Sequence, residues 1–129
     1  MWRFNRKKII QIAILGWILM IFVLCILPNE TLSKINTPLP FLDKIIHFGL
    51  FFLLSIFISS STIWGPSITF AKRCAISIFI AFVYGGLIEI LQPYFFNRGG
   101  EIEDLIADLL GGISGCFSYP LFKYIKNKN

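Results

Sequence analysis

The sequence predicts an all-α, polytopic membrane protein, a four-transmembrane-helix bundle with both termini on the cytoplasmic side. Three observations carry that prediction. Of the 129 residues, 56% are hydrophobic and only 15% charged, and the mean hydropathy is +0.74. A soluble domain of this length needs far more polar residues to cover its surface. The apolar residues also gather into four runs, each near the roughly 20 residues that a helix needs to cross a bilayer core about 30 Å thick. The charges fall between those runs, with basic and acidic residues sorted to opposite sides.

The first run covers residues 9–27 and stops at Pro28. It follows Arg3, Arg6, Lys7 and Lys8, as a signal peptide would, but it is longer than a usual signal core. No small-residue cleavage site follows it, so it reads as an uncleaved helix. The second run spans residues 45–64 and is stopped by Gly65-Pro66; the third spans 74–92 and is stopped by Pro93; the fourth covers 105–124, with Pro120 near its end. In lipid each must be a helix, because an open strand would leave backbone groups unpaired. The bilayer replaces a large interior, and a single domain over residues 1–129 is expected.

Orientation follows from the loops. Arg3, Arg6, Lys7, Lys8, Lys72, Arg73, Lys123, Lys126 and Lys128 fall on one side, leaving Lys34, Lys44 and Arg98 of the twelve basic residues for the other. The positive-inside rule makes the first group cytoplasmic. All seven acids lie toward the opposite side: Glu30, Asp43, Glu89, Glu101, Glu103, Asp104 and Asp108. Acids barely influence topology, so their clustering marks the outer side as the place where polar groups are needed. Trp2, Trp64 and Tyr124 fall near the inner boundary, where amphipathic rings settle. The net charge of +5 is spread in patches and forms no stripe, which argues against nucleic acid as a partner. Cys25, Cys74 and Cys116 have no CxxC spacing and are expected as small buried hydrophobes.

The informative residues are those inside an apolar span. A carboxylate at mid-helix costs about 2.5–3.5 kcal/mol on insertion scales, and less near an end. His47 lies four residues past Asp43, so both occupy one helix face; Glu89 shares a face with Gln92, and Asp108 with Asp104, Gly111 and Gly115. His47, Glu89 and Asp108 each fall about one turn below the outer boundary. The expectation is a shared, partly hydrated pocket, with Arg98 folding over it as counter-charge and Gly99-Gly100 permitting the tight backbone. Each piece has a plainer reading. Asp43 suits a helix N-terminus, Asp104 a cap, His47 an interfacial anchor, and Glu89 with Gln92 a helix-to-helix bond. Glu101 and Glu103 suit a solvated loop, and Gly111 and Gly115 close helix packing. The matching depth is what favours the pocket.

At these residues the chain resembles the VanZ-like family of membrane proteins. The family pattern of Asp-Lys-x-x-His-Phe corresponds to Asp43, Lys44, His47 and Phe48, and its Glu-x-x-Gln to Glu89 and Gln92. Arg98, Asp104 and Gly111 continue the pattern, with Gly115 extending the glycine spacing. Position 108 departs from it, carrying Asp where the pattern has Asn. The resemblance implies a multi-pass protein of the bacterial cytoplasmic membrane, in a family whose named member is tied to resistance to the glycopeptide teicoplanin.

Three function classes are compatible with this reading. The first is a cell-envelope protein that recognises or modifies a lipid head group or lipid-linked envelope precursor. His47, Glu89 and Asp104 would then be catalytic, and Asp43, Lys44, Gln92, Arg98 and Asp108 would bind. The second is a non-catalytic scaffold or partner protein held in register by its polar groups. The third is a carrier, which would need to oligomerise because no inverted repeat is evident. No metal or cofactor is expected: His47, Glu89 and Asp108 are possible ligands, but one histidine without a cysteine at that level argues against zinc. No Walker loop, GxSxG or HExxH occurs.

Overall fold

The computed structural model describes residues 5–27, 41–60 and 63–128. Trp2, Arg3, Pro28, Glu30 and Lys34, on which part of the topology reading rests, lie outside the described residues. Four helices account for nearly all that is described: α1 (Arg6–Cys25), α2 (Leu42–Ser60), α3 (Phe70–Phe95) and α4 (Ile102–Lys128). All four are long and apolar enough to cross a membrane. The all-α, four-helix expectation therefore matches the structure.

The ends of the helices differ from those expected, for local reasons. Asn5 caps α1, its side chain accepting from the Lys7 amide at 3.2 Å, so basic residues expected ahead of the helix lie in its first turn. Thr69 caps α3 in the same way, and the Arg73 guanidinium sits over the Phe70 ring 5.6 Å from its centroid. At the other end α3 runs through Pro93 to Phe95. Proline has no N–H to give the carbonyl of Glu89, four residues earlier. Gly100 lies directly against that carbonyl, where a Cβ would collide with it. The second helix ends at Ser60, earlier than expected; Ser59 donates back to the Ser55 carbonyl at 2.7 Å and Trp64 to the Ile58 carbonyl at 2.7 Å.

The tightest seam joins α2 to α4. Gly111 and Gly115 face the carbonyls of Phe48 and Phe52, so two backbones approach where no other residue would fit. Behind the seam, Ser55 bridges three helices. Its hydroxyl donates to the Gly112 carbonyl at 2.6 Å, accepts from Ser77 at 2.9 Å and stands 2.9 Å from the Cys116 sulfur. Phe51, Leu54, Ile58, Ala81 and Ile88 fill the apolar space around this layer.

The first helix is attached differently. Only Ile21 and Cys25 are buried on it, and Ile12, Leu15 and Leu19 are left for lipid. Polar side chains hold it through main-chain carbonyls: Tyr84 donates to the Ile18 carbonyl at 2.6 Å, and Trp17 on α1 donates to the Leu50 carbonyl of α2 at 3.0 Å. Cys25 and Cys116 are buried and Cys74 is half-buried, and all three are free thiols.

Gly111→Val is expected to lower stability in detergent by about 1–3 kcal/mol, the usual range for overpacking a close contact. Gly16→Ala, whose added methyl meets nothing within 4 Å, is expected to leave it unchanged. Thermal unfolding of the purified variants checks both.

Candidate functional site

The C-terminal ends of α1 and α3 and the N-terminal ends of α2 and α4 meet at one end of the bundle. The basic residues of α1, α3 and the α4 terminus lie at the other end. Here the structure gathers Asp43, Lys44, His47, Glu89, Gln92, Arg98, Asp104 and Asp108. A helix N-terminus carries partial positive charge, which suits Asp43 and Asp104, each in the first turn of its helix.

The four-residue spacings on α2 and α4 mesh across the glycine seam. His47 Nδ1 stands 2.9 Å from Asp108 Oδ1, and His47 Nε2 stands 3.8 Å from Asp104 Oδ2. All three side chains are fully buried. One helical turn nearer the boundary, Lys44 Nζ lies 3.3 Å from Asp104 Oδ1, 2.7 Å from Glu101 and 3.2 Å from Glu103. Asp104 is therefore not a side-chain cap, because its carboxylate points inward to Lys44 and His47. Glu101 and Glu103 are exposed but paired with Lys44. Gly85 of α3 gives Asp108 its room, since a Cβ there would strike the carboxylate.

Arg98 is 3% exposed and departs from the role expected of it. Its Nη2 pairs with Asp43, while Nη1 donates to the Cys25 carbonyl at 2.9 Å and the Leu27 carbonyl at 3.2 Å. Gln92 donates to the same Cys25 carbonyl at 2.8 Å. The end of α1 has carbonyls without helical partners and a negative dipole end, and the guanidinium satisfies both. Arg98 thus locks α1 onto Asp43, and does not lie over Glu89 or Asp108 as counter-charge. The loop that carries it does not use glycine's freedom: Asn97, with φ 50°, takes the left-handed position, and no described glycine has positive φ.

Glu89 faces two ways. Its Oε2 accepts the Glu101 amide at 2.7 Å, fixing the start of α4 to the end of α3. Its Oε1 has no hydrogen-bond partner among the described residues, nor do His47 Nε2, Gln92 Oε1, Asp104 Oδ2 or Asp108 Oδ2. One ligand atom from each of Asp43, His47 and Asp104 lies within 4.8 Å of the other two, and the same holds for His47, Glu89 and Asp108. Beside Glu89, a groove of about 510 Å³ runs between α3 and α4 along Phe82, Gly86, Leu87 and Ile90, and reaches Glu101. Its walls are almost wholly apolar.

Two features escaped the sequence reading. The Ser55–Ser77–Cys116 layer could have been suspected from hydroxyls inside an apolar run, but serine bonds equally well to its own helix. The Cys25 side chain neighbours His47, so a sulfur does stand at this level, contrary to expectation. The run over residues 9–27 puts Cys25 near the outer end of its span, but spacing does not show that it faces His47.

A sequence profile described as VanZ/LLP1 matches residues 3–123. An uncharacterized protein of the fission yeast Schizosaccharomyces pombe, C11E3.10, is 29% identical over 104 residues, 79% of this chain. The matched stretch covers 62% of that relative's length. No solved structure matches the chain.

If Arg98 locks α1, Arg98→Ala should loosen that helix without dissolving the α2–α4 seam. Cys25, 1% exposed, should then react about tenfold faster with a membrane-soluble maleimide, equivalent to about 1.4 kcal/mol of local opening. Arg98→Lys should not restore protection, because one ammonium cannot reproduce the planar fork that spans Asp43 and two carbonyls.

Proposed function

The chain belongs to the VanZ/LLP1 family, and from that premise we propose that its polar cluster recognises or modifies the head group of a lipid or lipid-linked molecule at the non-cytoplasmic leaflet. The observation that carries this reading is the set of polar atoms on His47, Glu89, Gln92, Asp104 and Asp108 that have no hydrogen-bond partner among the described residues. Each buried group left unpaired costs about 1–3 kcal/mol. Holding helices together gives no return on that cost, whereas a ligand that meets those atoms does.

The apolar groove supports a chain-bearing ligand. Its upper end is lined by Glu89, Gly100 and Glu101, so a molecule lying in it would bring its polar end to the cluster. Glu89 and His47 are the groups placed to move a proton, with Asp104 beside His47. The Arg98 guanidinium is occupied by Asp43 and α1; Lys44, 22% exposed at the rim, is the cation nearest the surface, and an anionic head group would reach it by displacing Glu101 or Glu103. The outward orientation rests on Arg6, Lys7, Lys8, Lys72, Arg73 and Lys123 lying at the opposite end of the bundle. In a bacterium this would be the envelope side of the cytoplasmic membrane. The match to a fission-yeast protein means that family membership alone ties the chain neither to bacteria nor to glycopeptide resistance.

Native mass spectrometry of protein purified in mild detergent tests the reading. Wild type should retain a distinct lipid or polyprenyl-linked phosphate above the bulk lipids, and incubation with such compounds should reveal any product. Glu89→Gln and Asp104→Asn should lower retention at least about tenfold, or about 1.4 kcal/mol, with thermal unfolding unchanged. A fall in folded yield that tracks the loss of retention would instead favour the scaffold.

A further inference from the structure

The atoms that have no partner are arranged around the atoms that do. On Asp43, one carboxylate oxygen is held by Arg98. On Asp104, Oδ1 is held by Lys44 at 3.3 Å, and Oδ2 has no hydrogen-bond partner among the described residues. On His47, Nδ1 is held by Asp108 at 2.9 Å, and Nε2 likewise has none among them. Each of these three side chains thus has one polar atom fixed by an outer neighbour. The free Nε2 and the free Asp104 Oδ2 stand 3.8 Å apart. All three residues offer a donor within 4.8 Å of the others.

We infer that Asp43, His47 and Asp104 form a binding site for one divalent metal ion, with His47 coordinating through Nε2. Three independent features point to an ion. The first is distance: two donors each about 2.1 Å from one ion stand roughly 3–4 Å apart, and the free nitrogen and oxygen already do. The second is the outer layer. A metal-bound histidine almost always gives its other ring N–H to a carboxylate or carbonyl, which fixes the tautomer and turns the lone pair inward. Asp108 supplies that carboxylate, while Lys44 and Arg98 orient the two acids. The third is charge. Asp43, Glu89, Asp104 and Asp108 place four carboxylates around two fixed cations, Arg98 and Lys44, and Lys44 is shared with Glu101 and Glu103 at the rim. Counted formally, an excess of at least two negative charges remains at membrane depth, where unneutralised charge is most costly. A divalent ion offsets two of them.

The donor set selects the class of ion. Two carboxylates and one imidazole suit Mn²⁺, Fe²⁺ or Zn²⁺ better than Mg²⁺, which prefers oxygen alone and keeps its waters. This single histidine is sufficient because the carboxylates complete the set, which is why histidine and cysteine counts did not reveal the site. The inference goes beyond head-group recognition and stands or falls on metal content, whatever the lipid result.

The test uses full-length protein in detergent, stripped with a chelator, exposed to Mn²⁺ or Zn²⁺, and desalted. Elemental analysis should find about one ion per folded chain. Pulsed electron paramagnetic resonance of the Mn²⁺ form should show coupling to a directly bound nitrogen. Asp43→Asn and Asp104→Asn should lose most of the ion, and His47→Gln the nitrogen coupling, while Glu103→Gln on the exposed rim behaves as wild type. Wild type alone is decisive if a variant fails to fold: no retained ion, or a retained ion without nitrogen coupling, overturns the site. Full occupancy in both Asp43→Asn and Asp104→Asn would overturn it too.

Discussion

Everything at the polar end of this molecule follows from the expense of leaving ionisable groups alone in a medium that cannot solvate them. The answer is the contact between His47 on α2 and Asp108 on α4, reinforced one turn away by Lys44 and Asp104. That contact needs the two helices nearly touching. Gly111 and Gly115 allow it, by letting α4 rest on the carbonyls of Phe48 and Phe52. Charge pairing and backbone proximity are therefore one device. Neither works without the other, since long side chains on that face would hold the imidazole and carboxylate apart.

The four helices were legible because a bilayer imposes a length and forbids exposed backbone. Spacing also revealed which residues share a face: Asp43 with His47, and Asp104 with Asp108 with Gly111. What spacing cannot reveal is which face meets which. Arg98 illustrates this. It was expected over the cluster as a general counter-charge, yet it pairs with Asp43 and the last carbonyls of α1. An unsatisfied helix end is a strong attractor for a guanidinium, but it leaves no mark in side-chain sequence. The start of α3 was displaced for a related reason, because the Thr69 cap acts on the backbone and not on hydropathy. In the sequence, Gly99 and Gly100 suggest conformational freedom. Gly100 instead provides room, next to a carbonyl that Pro93 leaves without its usual donor.

The same residues that join helices also present free atoms, and the two roles occupy different atoms of one side chain. Glu89 shows the division most clearly: one oxygen fixes the start of α4, and the other has no hydrogen-bond partner among the described residues. Asp108 fits this scheme despite standing where the family pattern has Asn. A carboxylate accepts from the imidazole as an amide oxygen would, and its second oxygen adds charge against Gly85 in place of an amide donor. The cluster of this chain is thereby more acidic than the pattern alone describes.

The manner in which α1 is moored has an evolutionary consequence. The acceptors it offers, the carbonyls of Ile18, Cys25 and Leu27, belong to the peptide chain and are the same whichever residues occupy those positions. Their donors lie outside α1, on α3 (Tyr84 and Gln92) and in the loop after it (Arg98), while α1 itself contributes the Trp17 indole. The first segment can therefore drift through many apolar sequences while keeping its berth, provided it remains helical and thin enough where Ile21 and Cys25 tuck in. Divergence among relatives should accordingly concentrate there, while Tyr84, Gln92 and Arg98 bear the responsibility for recognising a strand of main chain that carries no signature of its own.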